Sequence, residues 1–224
     1  MFVTGYPAMK LGRHLVVTDL HIGIAKELYE AGVAIPSQIK SFSERLNKLK
    51  DITKTTNLVI LGDVKHSIGT GFLEAKEIPE FFELLKFRKV IITKGNHDGN
   101  IEKLAGKNVS VRKSFIVGDY LLTHGHRNIK TDKKRIVIGH NHPHVRFTDE
   151  LGAVYIAPCW VRGKIDGKTL IIVPSFNELS GMMVVNDKRY ERFNGPIAKK
   201  LNKNSAHAYL LDGTDIGRIG DLRD

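Results

Sequence analysis

The sequence has only one cysteine, Cys159, among its 224 residues. A single thiol excludes an internal disulfide framework and any cysteine-rich zinc module, because both need several thiols. Long apolar runs are also missing. None approaches the roughly 18 residues that span a bilayer, and residues 1–13 lack the apolar stretch of a secretory signal. We therefore expect a cytoplasmic protein without a membrane partner, in which any metal ion is held by nitrogen and oxygen.

Acidic residues are scarce relative to basic ones. The chain carries 24 Asp and Glu against 35 Lys and Arg, a formal charge of +11, with basic clusters at residues 127–135 and 187–203. This surplus is compatible with nucleic acid, an anionic membrane surface or phosphorylated small molecules as a partner, and equally with a solvated face. Hydrophobic residues make up 42% of the chain, which supplies a substantial core and excludes disorder over most of it.

Short apolar runs rich in β-branched residues recur along the chain and predict strands covered on both faces. The predicted strands are residues 14–18, 57–61, 89–93, 120–123, 135–138 and 169–173, and helical patterns lie at 22–31, 36–51 and 78–87. The N-terminal half therefore has a βαβ arrangement, and the half after residue 108 is mainly β. We predict an α/β fold with two packed sheets in one domain, residues 1–224, of which residues 212–224 form a loosely ordered tail.

Polar clusters rich in Asp, Asn and His follow five of these strands. They are Asp19-Leu20-His21, Gly62-Asp63, Gly95-Asn96-His97-Asp98, His124-Gly125-His126 and Gly139-His140-Asn141-His142. Each cluster alone has an ordinary explanation, such as helix N-capping by Asp63. Because ligands bind at the carboxyl ends of strands in open α/β sheets, five such ends side by side would gather the clusters at one place. Eight of the ten histidines lie between His21 and His144, which favours a shared site.

The residue types in these clusters suit a pair of divalent cations. Two cations about 3.5 to 4 Å apart repel each other, so a carboxylate must bridge them, and a water shared between them becomes hydroxide near neutral pH. Neutral imidazoles supply further ligands without adding charge. Carboxylate, imidazole and amide ligands without thiolate favour manganese and also suit iron, nickel or zinc.

The ordered succession of the five clusters resembles the calcineurin-like metallophosphoesterase superfamily, over about residues 19–142. The resemblance implies two facing mixed β-sheets flanked by helices, a four-layer sandwich, with a dinuclear metal site at the strand ends. The implied ligands of the first metal are Asp19, His21, Asp63 and His142, and those of the second are Asp63, Asn96, His124 and His140. Asp63 would then bridge the metals. His97 matches the family's catalytic histidine, which is not a ligand, and Asp98 is expected to orient it.

The segment after Asp63 departs from the phosphoprotein phosphatases of that superfamily. In those enzymes Gly-Asp is followed by a further Asp, Arg and Gly, whereas this chain has Val64-Lys65-His66, which argues against phosphoserine and phosphothreonine phosphatase activity. Together with Pro158-Cys159-Trp160 and Arg162-Gly163, this segment is similar to small bacterial and archaeal phosphoesterases related to the SbcD-type nucleases.

We therefore predict a metal-dependent phosphodiesterase acting on nucleic acid, in which a hydroxide bridging the metals attacks phosphorus. Protonated His97 would donate to the leaving oxygen or bind the phosphate. The basic residues 127–135 lie between two ligand clusters, where they could follow a phosphate backbone. Arg127 is a candidate phosphate clamp, and His126 is a candidate substrate contact. An exposed charge and a packed structural histidine are their respective alternatives.

Two other functions stay open. The enzyme could act on a small phosphoester such as a nucleotide or cyclic nucleotide, with the positive charge steering anions. The fold could also serve as a non-catalytic scaffold for protein association, although the complete ligand set argues against this. Because no obvious cap covers the site, specificity would depend on loops of the second half, on a protein partner or on a second copy of the chain.

Overall fold

The computed structural model describes residues 1–69 and 71–222, and in these residues two β-sheets face each other. The first sheet has the strand order β1-β2-β3-β4-β5. β1 is antiparallel to β2, and the other neighbours are parallel. The strands are β1 (Met9–Leu11), β2 (His14–Val17), β3 (Asn57–Ile60), β4 (Lys89–Thr93) and β5 (Val109–Arg112).

The second sheet is also mixed. Its order is β12-β9-β10-β11-β8-β7-β6, with β13 pairing to β10 and β14 to β13. β8 is parallel to both β7 and β11, whereas β10 is antiparallel to β9, β11 and β13. The strands are β6 (Phe115–Val117), β7 (Tyr120–Leu122), β8 (Arg135–Ile138), β9 (Pro143–Thr148), β10 (Val154–Ile165), β11 (Lys168–Ile172), β12 (Met183–Val184), β13 (His207–Leu210) and β14 (Asp215–Arg218).

The outer faces of the two sheets are covered differently. The helices are α1 (Ile24–Glu30), α2 (Ile39–Thr53) and α3 (Phe72–Leu84). The first sheet packs against α2 and α3, where Phe42, Leu46 and Phe81 join one apolar cluster with strand residues such as Leu58. The second sheet packs against loops and short 3-10 helices of the C-terminal part, such as residues 198–200. The predicted class of two mixed sheets with flanking helices is confirmed, and the layer over the second sheet is mostly irregular.

Between the sheets lies a shared apolar interior. Val16 and Val59 point into it from the first sheet, and Val137 and Trp160 point into it from the second. Alternation along β2 and β3 sends the neighbouring side chains to the helical side instead, as expected for strands that are buried on both faces. This common interior fixes the strand ends of one sheet relative to those of the other. Cys159 is buried, and burial raises the pKa of its thiol, as expected of a small apolar residue.

Two segments differ from the prediction. α3 begins at Phe72 rather than near residue 78, because the Glu74 carboxylate accepts the Gly71 N–H at 3.0 Å and stabilises an earlier N-terminus. The expected loose tail instead contains β14 and a 3-10 turn at residues 219–221, and its last two residues lie outside the described part. In the described ranges, no helix is both long enough and apolar enough to cross a bilayer.

Candidate metal centre

The five polar clusters meet at one edge of the two sheets. In the first sheet, Asp19 and His21 follow β2, Asp63 follows β3 and Asn96 follows β4; in the second, His124 follows β7, and His140 and His142 follow β8. Because β2, β3 and β4 are parallel to one another and β7 is parallel to β8, the carboxyl ends of each set lie together. The Asp19 carboxylate then accepts the His140 N–H at 3.0 Å, which joins the two sheets at this edge.

The backbone at these positions is strained. Asp19, His21, Asp63, His140 and His142 have positive φ angles, from 43° to 68°. They are five of the eight non-glycine residues with positive φ in the described chain. Residues in sparsely populated backbone regions cost about 1–3 kcal/mol each and cluster at functional sites, where the surrounding structure holds them. The strain therefore marks this edge as a site that the fold maintains at a cost in stability.

Two glycines allow the loops to approach this closely. A Cβ at Gly95 would overlap the Asp63 carboxylate, and a Cβ at Gly139 would overlap the Thr18 hydroxyl and the Asp19 carboxylate. Only glycine leaves room for such contacts between backbone and side chain. The glycines in the two sequence clusters thus shape the site without acting as ligands.

The first ligand group consists of Asp19, His21 and His142. One ligand atom of each lies within 4.8 Å of the other two. The Nε2 atoms of His21 and His142 are 3.4 Å apart, and His142 Nε2 is 3.4 Å from Asp19 Oδ1. Two imidazole nitrogens and a carboxylate oxygen therefore converge on one point, as first-row divalent metals require.

The second group consists of Asp63, His124 and His140, again with ligand atoms within 4.8 Å of one another. His124 Nε2 lies 3.2 Å from Asp63 Oδ2 and 3.1 Å from the side-chain oxygen of Asn96. The ring centroids of His124 and His140 are 4.9 Å apart. The structure thus brings together all seven residues that the sequence suggested as ligands.

Backbone carbonyls orient the imidazoles. The Nδ1–H of His124 donates to the Leu61 carbonyl at 2.7 Å, and that of His142 donates to the Gly181 carbonyl at 2.6 Å. A neutral imidazole that donates from Nδ1 carries its lone pair on Nε2. In their neutral form both rings therefore direct the Nε2 lone pair toward the carboxylates, which is how metal-ligating histidines are usually held.

The donor set fits divalent cations. Asp19 Oδ1 is buried and has no hydrogen-bond donor within residues 1–69 and 71–222. A buried carboxylate oxygen without a partner is costly, and the converging lone pairs around His124 Nε2 repel one another unless a proton or a cation lies between them. One cation in each group would satisfy these atoms.

Burial and mutual charge shift the pKa values of these groups in opposite directions. Burial opposes the charged form of His124, but the hydrogen bond to Asp63 and the charges of Asp19 and Asp63 raise its pKa to about 9. Burial lowers the pKa values of His21 and His140 to about 4. These two rings are therefore neutral near pH 7 and ready to bind metal, whereas a cation at the second group must displace the proton of His124.

Comparisons with known proteins identify the family. The sequence model of the calcineurin-like phosphoesterases matches residues 12–210. The chain belongs to the calcineurin-like phosphoesterase family. It is a metal-dependent phosphoesterase, and hence a hydrolase. The crystal structure of Pseudomonas putida nuclease MPE has the same fold, with a TM-score of 0.58 and 22% sequence identity, over 91% of this chain and 88% of that chain. No curated protein matches the sequence.

In this phosphoesterase, His97 and Asp98 occupy different environments. The Nδ1–H of His97 donates to the His66 carbonyl, and its backbone N–H donates to Asp63 Oδ1 at 2.9 Å. Asp98 was expected to orient the His97 ring, but its carboxylate is fully buried and accepts backbone N–H groups of Val64, Lys65 and Gly95 instead. The side chain of Asp98 therefore ties the loop after β3 to the loop after β4, and a carbonyl orients His97.

The loop after Asp63 holds two further residues of the phosphoesterase whose roles the sequence left open. His66 lies with its Nδ1 3.4 Å from the Nδ1 of His21, and its Nε2 contacts the Glu27 carboxylate. Lys65 is buried, and its ammonium donates to the carbonyls of residues 67–69. Their position two and three residues after Asp63 was the available sequence signal that they lie near the site. It did not show that Lys65 holds this loop in place, or that the His66 carbonyl orients the His97 ring.

His126 and Arg127 lie at the rim of the second ligand group. The ring centroid of His126 is 5.2 Å from that of His124 and 6.3 Å from that of His140. Both of its ring nitrogens are buried without a hydrogen-bond partner in the described part of the chain, and burial, followed by the charge of His124, lowers its pKa to about 4. Arg127 is exposed and lines the same cavity as His126. Their roles in binding substrate stay predictions.

Proposed function

We propose that this phosphoesterase is a dinuclear phosphodiesterase that acts on nucleic acid, with manganese as its metal. The observation that carries the proposal is the pair of adjacent ligand groups, one around Asp19 and one around His124. We assign the first metal to Asp19, His21, Asp63 and His142, and the second to Asp63, Asn96, His124 and His140. Asp63 is the proposed bridge, because its carboxylate belongs to the second group and its charge also acts on His21.

The chain's own residues would position the phosphodiester and move a proton. A pair of divalent cations supplies a nucleophilic water near neutral pH and neutralises charge on the phosphoryl oxygens. Protonated His97, with its Nδ1–H fixed on the His66 carbonyl, would give the proton on Nε2 to the leaving oxygen. Arg127 would bind a non-bridging phosphate oxygen through its guanidinium.

Nucleic acid is the proposed substrate class because positive charge borders the site. Residues 127–135 follow the His124 cluster directly, and the chain has a formal charge of +11. The similar Pseudomonas putida structure is a nuclease by its title, which is in line with this choice. A cytoplasmic location belongs to the same proposal.

A substrate panel with manganese tests the proposal. It contains bis-p-nitrophenyl phosphate, p-nitrophenyl phosphate, cyclic nucleotides, and labelled single-stranded and duplex oligonucleotides. His97→Ala protein, purified in the same way, controls for contaminating nucleases. We expect cleavage of the diester and of oligonucleotides by the wild type only. Cleavage of small esters with oligonucleotides untouched would replace nucleic acid by a small phosphoester, and bound metal without any turnover would favour a scaffold.

A further inference from the structure

We infer that a basic surface along β5, here named the β5 track, binds the phosphate backbone of a nucleic-acid strand leading away from the metal centre. The track consists of two cavities that share Arg112. The inference rests on the proposed nucleic-acid activity and extends it, because the track is a second surface that the substrate must contact.

The first cavity of the track adjoins the second ligand group. It has a volume of about 590 Å³, and Thr123 and His126 form its side nearest the metal centre. Glu102 is the one carboxylate among the described residues that line it, and it is 2.6 Å from the Lys94 ammonium and thereby neutralised. The cationic residues of this cavity are Lys94, Arg112, Lys113 and Arg127.

The second cavity lies at the end of the first sheet that is opposite the metal centre. It has a volume of about 530 Å³, and the first residues of β2, β3, β4 and β5 line it, so it is at their amino ends. No carboxylate is among the described residues that line it. Its cationic or titratable residues are Arg13, His14, Arg88, Lys89, Lys107 and Arg112.

β5 connects the two cavities. Val109 and Ser110 line the second cavity, Val111 lines the first, and Arg112 lines both. β5 is an edge strand, so one side of it has no neighbouring strand in its sheet. From Val109 to Arg112 the strand rises by about 10 Å, at roughly 3.3 Å per residue. Stacked nucleotides rise by about 3.4 Å each along one strand, so the connection alone spans about three nucleotides.

The charge balance of the track points to a polyanion. Among the described residues, eight Lys and Arg side chains line the two cavities against a single carboxylate. In residues 1–69 and 71–222, only Lys94 of these eight has an ion-pair partner within 4.0 Å. Cations on an edge strand also discourage pairing with other chains, but that role needs no concave surface. Two cation-lined cavities in succession match the spaced charges of a phosphate backbone.

A double variant far from the metal centre tests the track. Arg88→Gln/Lys107→Gln removes two exposed cations of the second cavity. Lys40→Gln/Lys48→Gln removes two exposed cations of α2 that line neither cavity, and it is the matched control. For each protein we would measure kcat/KM with manganese, on a labelled 12-nucleotide strand and on bis-p-nitrophenyl phosphate, between 50 and 200 mM NaCl.

We expect the small diester to be cleaved equally by all three proteins. On the oligonucleotide, each lost phosphate contact makes the slope of log(kcat/KM) against log[NaCl] less steep by about 0.7, so two lost contacts change it by about 1.4. Over the fourfold salt range, the factor by which kcat/KM falls should therefore be about sevenfold smaller in Arg88→Gln/Lys107→Gln than in the wild type. The α2 control should match the wild type. If the track variant cleaves the oligonucleotide like the α2 control, the track is refuted and the nuclease proposal stands. If the wild type cleaves the diester but no oligonucleotide, both are refuted.

Discussion

The buried carboxylate of Asp98 provides a prediction whose size follows from its hydrogen bonds. Oδ1 accepts the Val64 N–H at 2.9 Å and the Lys65 N–H at 3.4 Å, and Oδ2 accepts the Gly95 N–H at 2.8 Å. In Asp98→Asn, the amide NH2 must face one of these donors. The variant loses at least one hydrogen bond to a charged acceptor, worth about 1.5–3 kcal/mol, and leaves a buried donor unsatisfied. We expect the free energy of unfolding to fall by about 2–4 kcal/mol.

Urea unfolding in the presence of a chelator measures this change without a contribution from bound metal. A loss of 3 kcal/mol would also lower Tm by about 6–12 °C in a chain of this size. Asp51→Asn is the control, because Asp51 is exposed on α2 and, in the described chain, its carboxylate is hydrogen-bonded to Lys50 alone, so its effect should stay within about 0.5 kcal/mol. If Asp98→Asn is as stable as the wild type but shifts the pH profile of kcat, the carboxylate acts on His97 and our interpretation is wrong.

Three other changes probe the site. His97→Ala should keep both metals and lose about 10²–10⁴ in turnover, the usual contribution of a general acid; undiminished kcat would remove His97 from the mechanism. Gly139→Ala should abolish metal binding because its Cβ overlaps Asp19, whereas Gly181→Ala, with no atom within 4 Å of the added carbon, should bind metal normally in a titration calorimeter. Without metal, the pKa of His124 is about 9 in the folded protein, above its ordinary value of 6.5. Protonated His124 therefore stabilises the fold fully below pH 6.5, and this contribution is lost as the pH rises to 9. Urea unfolding should show a loss of up to about 3 kcal/mol over that range, and a smaller loss in His124→Gln, in which the raised pKa of His142 remains.

The candidate site was predictable because its information is local. Each polar cluster directly follows a short apolar strand, and parallel strands place their carboxyl ends together whatever the rest of the fold does. The strands at residues 57–61 and 89–93 were therefore enough to place Asp63 beside Asn96.

Contacts that depend on side-chain direction were not predictable in this way. Asp98 is next to His97 in sequence, but its carboxylate turns toward backbone N–H groups of other loops. The N-terminus of α3 depends on the single hydrogen bond from Gly71 to Glu74, which apolar spacing does not show. The composition of the last residues suggested a loose tail, whereas β14 is held by pairing with β13, a tertiary contact.

Metal content tests the central claim most directly. Inductively coupled plasma mass spectrometry on protein loaded with manganese and then desalted should give two metals per chain for the wild type. Asp19→Asn should keep about one, because we assign Asp19 to the first metal alone, and Asp63→Asn should keep neither, because we assign its carboxylate to both. An Asp63→Asn protein that still holds two metals per chain would contradict the bridged pair.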